Sequence, residues 1–157
     1  MKHSQPKVTF DLKQPIQFLA LGFGSGLAPK APGTFGTLVA IPLFLLLAML
    51  TPLVYLGAVI VMSIAGIYIC GQAAKDVGVH DHPAIVWDEF IGYFITMFMV
   101  PVSWQSVFIG FLLFRFFDIL KPWPISFIDK QMSGGLGIMF DDILAGVFSL
   151  VIMQLIF

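Results

Sequence analysis

Charge is scarce in this sequence. Of 157 residues only 11% are Asp, Glu, Lys or Arg, 59% are hydrophobic, and the mean hydropathy is +0.97. Soluble domains run at roughly 25% charged and 45–50% apolar, so a water-surrounded fold is excluded and a multi-spanning membrane protein is expected. The net charge of −1 and the lack of any basic stripe with interleaved aromatics leave no footprint for nucleic acid. Cysteine is reduced to Cys70, which excludes an internal disulfide and a zinc cluster built on thiolates. Within an apolar stretch that thiol reads as a small packing residue. Internal repeats and low-complexity linkers are also absent. Residues 1–157 are therefore expected to form a single membrane-embedded domain, with 1–14 as a polar lead-in carrying Lys2, Lys7 and Lys13.

What is there in abundance is apolar sequence of spanning length. An all-α, polytopic helical bundle is expected, with five spans at about 34–50, 53–74, 85–100, 105–120 and 136–157, set against the roughly 17–25 residues that a crossing needs. The run at 16–27 is too short to cross and is interrupted by Gly22, Gly24 and Gly26. It reads as a re-entrant or interfacial helix rather than a signal peptide. Lysines concentrate in the N-terminus and in the connections at 75–83 and 121–131, while 51–54 and 101–105 carry no ionisable side chain. The positive-inside rule then puts the lysine-bearing connections in the cytoplasm and Phe157 on the far side.

The few charges fall in short clusters: Asp88 and Glu89 in WDE, Arg115 and Asp118 in RFFD, and Asp141 and Asp142 in FDD. Ionisable groups at membrane depth are costly and mark functional sites by default. On the expected topology all three clusters lie just inside the cytoplasmic interface. Oxygen-only donors without thiolates suit a hard cation such as Mg²⁺, which also keeps water and phosphate oxygens as ligands. Arg115 and Asp118 share a helix face at i, i+3, and Lys121 continues it. Asp142, Gly146 and Ser149 form a small, polar face of the last helix, as do Asp88, Gly92 and Thr96 of the third span. Small residues mark close helix packing, which favours Asp142 as the more interior acid of its pair.

Residues 27–38, LAPKAPGTFGTL, lead into the first full span. Gly33, Thr34, Gly36 and Thr37 at a helix start offer N–H groups and hydroxyls to an anion, and Lys30 adds a charge. The GxxxxGK[ST] order of a P-loop is missing. A capped helix start with turn prolines explains the same residues without a ligand. His80, Asp81 and His82 before Pro83 are a second-tier candidate for ligation or proton transfer, and equally a polar loop that ends a helix. The Trp residues read as interfacial belt.

The runs GFGSGLAPKAPGTFGT, VHDHPAIVWDEFIGY, FRFFDILKPWPI and GGLGIMFDDILAG closely resemble the phosphatidylglycerophosphatase A family, in the family's order and over most of the chain. The resemblance implies an all-helical, magnesium-dependent lipid phosphatase. Such an enzyme converts phosphatidylglycerophosphate to phosphatidylglycerol and phosphate, the last step of phosphatidylglycerol synthesis. The hydrophobic composition is similar to that of the integral inner-membrane type found in Gram-negative bacteria, with the active site facing the cytoplasm. On this reading Asp88, Glu89, Asp118, Asp141 and Asp142 are the pool of catalytic groups, and Asp88, Glu89, Asp118 and Asp142 are the metal ligands. Lys30, Thr34, Thr37, Arg115 and Lys121 are the phosphate contacts.

Covalent routes find little support, because Cys70 does not open a CX₅R loop and no DxDx[TV] run is present. An Asp nucleophile from the cluster stays open. Two other classes compete. A divalent-cation transporter would carry acids along a path to both sides, whereas the far halves of these spans have none. A lipid-phosphate transferase of the CDP-alcohol phosphotransferase type would carry a DGxxAR motif, which is missing.

Overall fold

The computed structural model describes residues 9–79 and 82–157, and every regular element among them is helical. A short α1 (Pro15–Ala20) is followed by a 3-10 turn (Ser25–Leu27). The longer helices are α2 (Pro32–Leu47), α3 (Pro52–Val77), α4 (Trp87–Thr96), α5 (Trp104–Leu120) and α7 (Gly134–Ile156), with the short α6 (Ile125–Gln131) before α7.

Local chemistry sets these boundaries. Thr51 caps α3 by accepting the Val54 N–H at 3.4 Å, with Pro52 in the first turn, and Gly78 ends it at φ 72. A left-handed residue that donates back to the last carbonyls is the usual helix stop. Ser103 and Ser106 form a reciprocal capping box at the start of α5. Lys121, at φ 47, closes that helix ahead of Pro122.

The five windows expected to span coincide with α2, α3, α4, α5 and α7. By length and composition two of them, α3 and α7 at 26 and 23 residues, are sufficient to cross a membrane alone. The 10-residue α4 reaches about 15 Å, half of the roughly 30 Å hydrocarbon core. It ends early because the backbone turns at Met99, with φ 57, just before Pro101. A connection was expected at 121–131, yet α6 occupies most of it. Pro124 closes the short turn after Lys121 and serves as the N-cap of α6, where no N–H is required of it.

α4 is the hub. It packs against α2, α3, α5 and α7, and eight of its ten residues are buried. α7 completes the bundle against α3, α5 and α6. Tyr55 and Tyr93 place their rings around Phe44, and their hydroxyls donate to Phe94 O and Val107 O, so each buried phenol is satisfied. Trp87, expected in the interfacial belt, is instead half-buried beside Phe90 and donates its Nε1–H to Met62 O. Trp104 and Trp123 do face outward.

The outer surface is apolar. Leu53, Val61 and Ile64 on α3 and Phe116 and Ile119 on α5 are all more than half exposed. So much contiguous apolar surface is what a lipid-facing or partner-facing side carries. Together with the two spanning-length helices it makes this a membrane-associated protein.

Candidate active site

At one end of the bundle the starts of α2, α4 and α7 and the end of α5 surround a cleft of about 290 Å³. Its walls include Gly33, His82, Asp88, Glu89, Arg115, Asp118, Lys121, Asp141 and Asp142. The three acidic clusters, separated by up to 54 positions in the chain, thus meet in one place. Asp88, Glu89, Asp141 and Asp142 are buried, the last to 2% exposure.

Arg115 ties α5 to α4. Its Nη1 donates to Glu89 Oε2 at 3.3 Å and to Asp118, one turn along its own helix. Thr37, fully buried on α2, has its hydroxyl 3.2 Å from the same Glu89 oxygen and 2.8 Å from Gly33 O. Gly33 makes room for this arrangement, since a Cβ there would lie 2.6 Å from Glu89 Oε1 and 2.8 Å from Arg115 Nη1. Any larger residue would force the Glu89–Arg115 pair apart.

Lys121 ties the end of α5 to α7. The left-handed turn at its backbone aims Nζ at Asp141 Oδ2, 2.6 Å away, with Asp129 at 3.6 Å. Burial works to lower the ammonium's pKa, but the hydrogen bond and charge of Asp141, joined by Asp129 and Asp142, outweigh it and hold it above the usual lysine range. Lys121 is a cation throughout the physiological range. His82, at the rim, has its Nδ1 occupied by the Ala84 N–H at 3.0 Å, so the neutral ring carries its proton on Nε2. Burial lowers its pKa.

The carboxylates form two overlapping groups. Asp88, Asp141 and Asp142 each offer an oxygen, all within 4.8 Å of one another, and so do Glu89, Asp118 and Asp142. Asp142 Oδ2 is buried and accepts no hydrogen bond, while Arg115 Nε is buried and donates none. A buried acceptor and donor left unsatisfied are costly. They are the atoms that a cation and an anionic oxygen would satisfy. An all-oxygen donor set around such an acceptor fits a hard divalent cation.

Most residues singled out from sequence gather here: Asp88, Glu89, Arg115, Asp118, Lys121, Asp141, Asp142 and His82. Lys30 is exposed and Thr34 half-buried, and neither lines the cleft. Thr37 reaches the site through Glu89 rather than across the cavity. His80 and Asp81 lie outside the described residues. The sequence pattern makes Gly33 an N–H donor at a helix start and carries no sign of its steric role.

The family described as phosphatidylglycerophosphatase A matches residues 18–157. A phosphatidylglycerophosphatase A of Escherichia coli K12 is 50% identical over 144 residues, covering 91% of this chain and 84% of its own length. One from Haemophilus influenzae Rd is 44% identical over 154 residues, covering 97% and 94%. No solved structure matches the chain at a significant level.

Proposed function

Because this chain belongs to the phosphatidylglycerophosphatase A family and is a phosphatase, we propose that it hydrolyses phosphatidylglycerophosphate to phosphatidylglycerol and phosphate with the help of Mg²⁺ in the cleft described above. The observation that carries this reading is the pairing, in one cleft, of the unsatisfied Asp142 Oδ2 with the unsatisfied Arg115 Nε–H. Cation and phosphate are wanted side by side.

Asp88, Glu89, Asp118 and Asp142 are the proposed metal ligands, with Asp141 close behind. When bound, Mg²⁺ supplies charge neutralisation at the phosphoryl oxygens and acidifies a coordinated water. Arg115 and Lys121 hold the phosphate monoester and offset its charge. A carboxylate of the cluster takes the proton as a water attacks phosphorus in line. The P–O bond to the glycerol carbon's oxygen breaks, and that oxygen takes up a proton as phosphate departs. Glu89 is held by Thr37 and Arg115, so its position is fixed before substrate arrives.

The proposed setting is the bacterial inner membrane, with the cleft open to the cytoplasm and five crossings made by α2, α3, α4, α5 and α7. Lysines in the connections at 75–83 and 121–131 support that orientation. The convergence of three helix starts and one helix end on one cleft supports the alternation of direction. α4 would cross together with the irregular segments on either side of it.

The reading is tested by giving the purified protein, in detergent, phosphatidylglycerophosphate, phosphatidic acid and glycerol 3-phosphate in parallel. Phosphate release should be fastest from phosphatidylglycerophosphate. Release from the other two with none from phosphatidylglycerophosphate would contradict the assignment.

A further inference from the structure

We infer that the cleft holds two divalent cations bridged by Asp142, and not a single ion. This rests on the metal-dependent reading above and extends it to the number and sharing of the ligands.

Two observations carry it. The first is geometric. The carboxylates do not form one ring but two trios, Asp88 with Asp141 and Asp142, and Glu89 with Asp118 and Asp142. Each trio has its oxygens within 4.8 Å of one another. Mg²⁺ at about 2.1 Å from each oxygen sets neighbouring ligands about 3.0 Å apart and opposed ones about 4.2 Å apart, so each trio needs only small side-chain shifts to close on an ion. Asp142 alone belongs to both. It is 2% exposed, and its Oδ2 has no hydrogen-bond partner. A bridging carboxylate presents one oxygen to each of two ions, which uses both of its oxygens.

The second is charge balance. With all five carboxylates ionised, as ligation requires, and two cationic groups, Arg115 and Lys121, beside them, the formal charge of this largely buried cleft is −3. A phosphate monoester brings a further charge of about −1.5 to −2 at neutral pH. One divalent ion would leave the occupied site near −3, an arrangement that burial penalises heavily. Two ions bring it near −1. Arg115 already serves Glu89 and Asp118, and Lys121 serves Asp141. Asp142, which has neither cation in contact, is left to the ions.

The experiment counts ions directly. The full chain in detergent is stripped with EDTA and titrated with Mn²⁺ as the probe, with bound metal measured by equilibrium dialysis and electron paramagnetic resonance. Two Mn²⁺ per chain with a dipole-coupled spectrum are expected. Asp141→Asn and Asp118→Asn, each altering one trio only, should bind one Mn²⁺ per chain and show an uncoupled hyperfine spectrum, and their melting curves establish that they are folded. One uncoupled Mn²⁺ per wild-type chain overturns the pair and leaves a single-ion phosphatase. No bound Mn²⁺ overturns both the pair and the metal-dependent reading. Should either variant fail to fold, the wild-type count still decides.

Discussion

A Cβ placed on Gly146 would stand 2.5 Å from the carbonyl oxygen of Gly92, so the helices that carry Asp142 and Asp88 touch backbone to backbone. The other side of Gly92 is equally tight, against Phe114 of α5 and Asp142 O. This close crossing is what brings acids from α4 and α7 within ligand distance. Gly146→Val should push the helices apart and cost about 1–3 kcal/mol of stability. The measurement is the melting temperature in detergent, taken together with turnover. An unchanged melting temperature and normal turnover would mean that the crossing does not position the acids.

Arg115 works by geometry as much as by charge. One guanidinium nitrogen serves Glu89 on α4 and Asp118 on α5, a fork that a lysine ammonium cannot reproduce with the same reach. Arg115→Lys should therefore lose about 10-fold or more in kcat, a ΔΔG‡ of about 1.4 kcal/mol, despite the conserved charge. Steady-state phosphate release measures it. Wild-type kcat in the lysine variant would reduce Arg115 to a point charge.

Thr37 is a positioning residue whose hydroxyl holds Glu89. Thr37→Val keeps the shape and removes the bond, and should lower kcat about 5- to 20-fold, in line with about 1 to 1.5 kcal/mol for one hydrogen bond. Thr37→Ser should restore most of it. Equal losses in both variants would point to packing instead.

Much of this site was legible in the sequence, for an energetic reason. In a chain with so few charges, Asp88, Glu89, Arg115, Asp118, Asp141 and Asp142 stood out because a membrane-depth charge must be useful to persist. The small faces through Gly92 and Gly146 mark each helix as closely packed, since helical spacing is local information, but not that the two faces meet each other. What could not be read was long-range. That Lys121 turns through a left-handed backbone to reach Asp141, that Gly33 clears space for Glu89 and Arg115, and that Thr37 faces Glu89 all depend on how separate helices dock. By its helix face Asp142 is the more interior acid of the pair, but both are buried, and what separates them is that Asp141 has Lys121 for a partner. The α6 helix is not legible because the seven residues between Pro124 and Met132 carry too little periodicity.

Topology is open to a direct reading. A reporter fused after Phe157 should signal from the periplasm if α2, α3, α4, α5 and α7 each cross. The critical element is α4, whose helix spans only about 15 Å. A cytoplasmic signal would make the number of crossings even and remove α4 or one of its neighbours from the set.

The central claim is that Asp142 and a divalent cation together make this cleft a phosphatase site. The measurement is phosphate release from phosphatidylglycerophosphate by the purified wild type and by Asp142→Asn, each with Mg²⁺ and with EDTA. The account predicts release by the wild type with Mg²⁺ only, and a loss of about 10²–10⁴-fold in the Asn variant with its melting temperature preserved. Release that persists in EDTA, or near-normal turnover by Asp142→Asn, would contradict it.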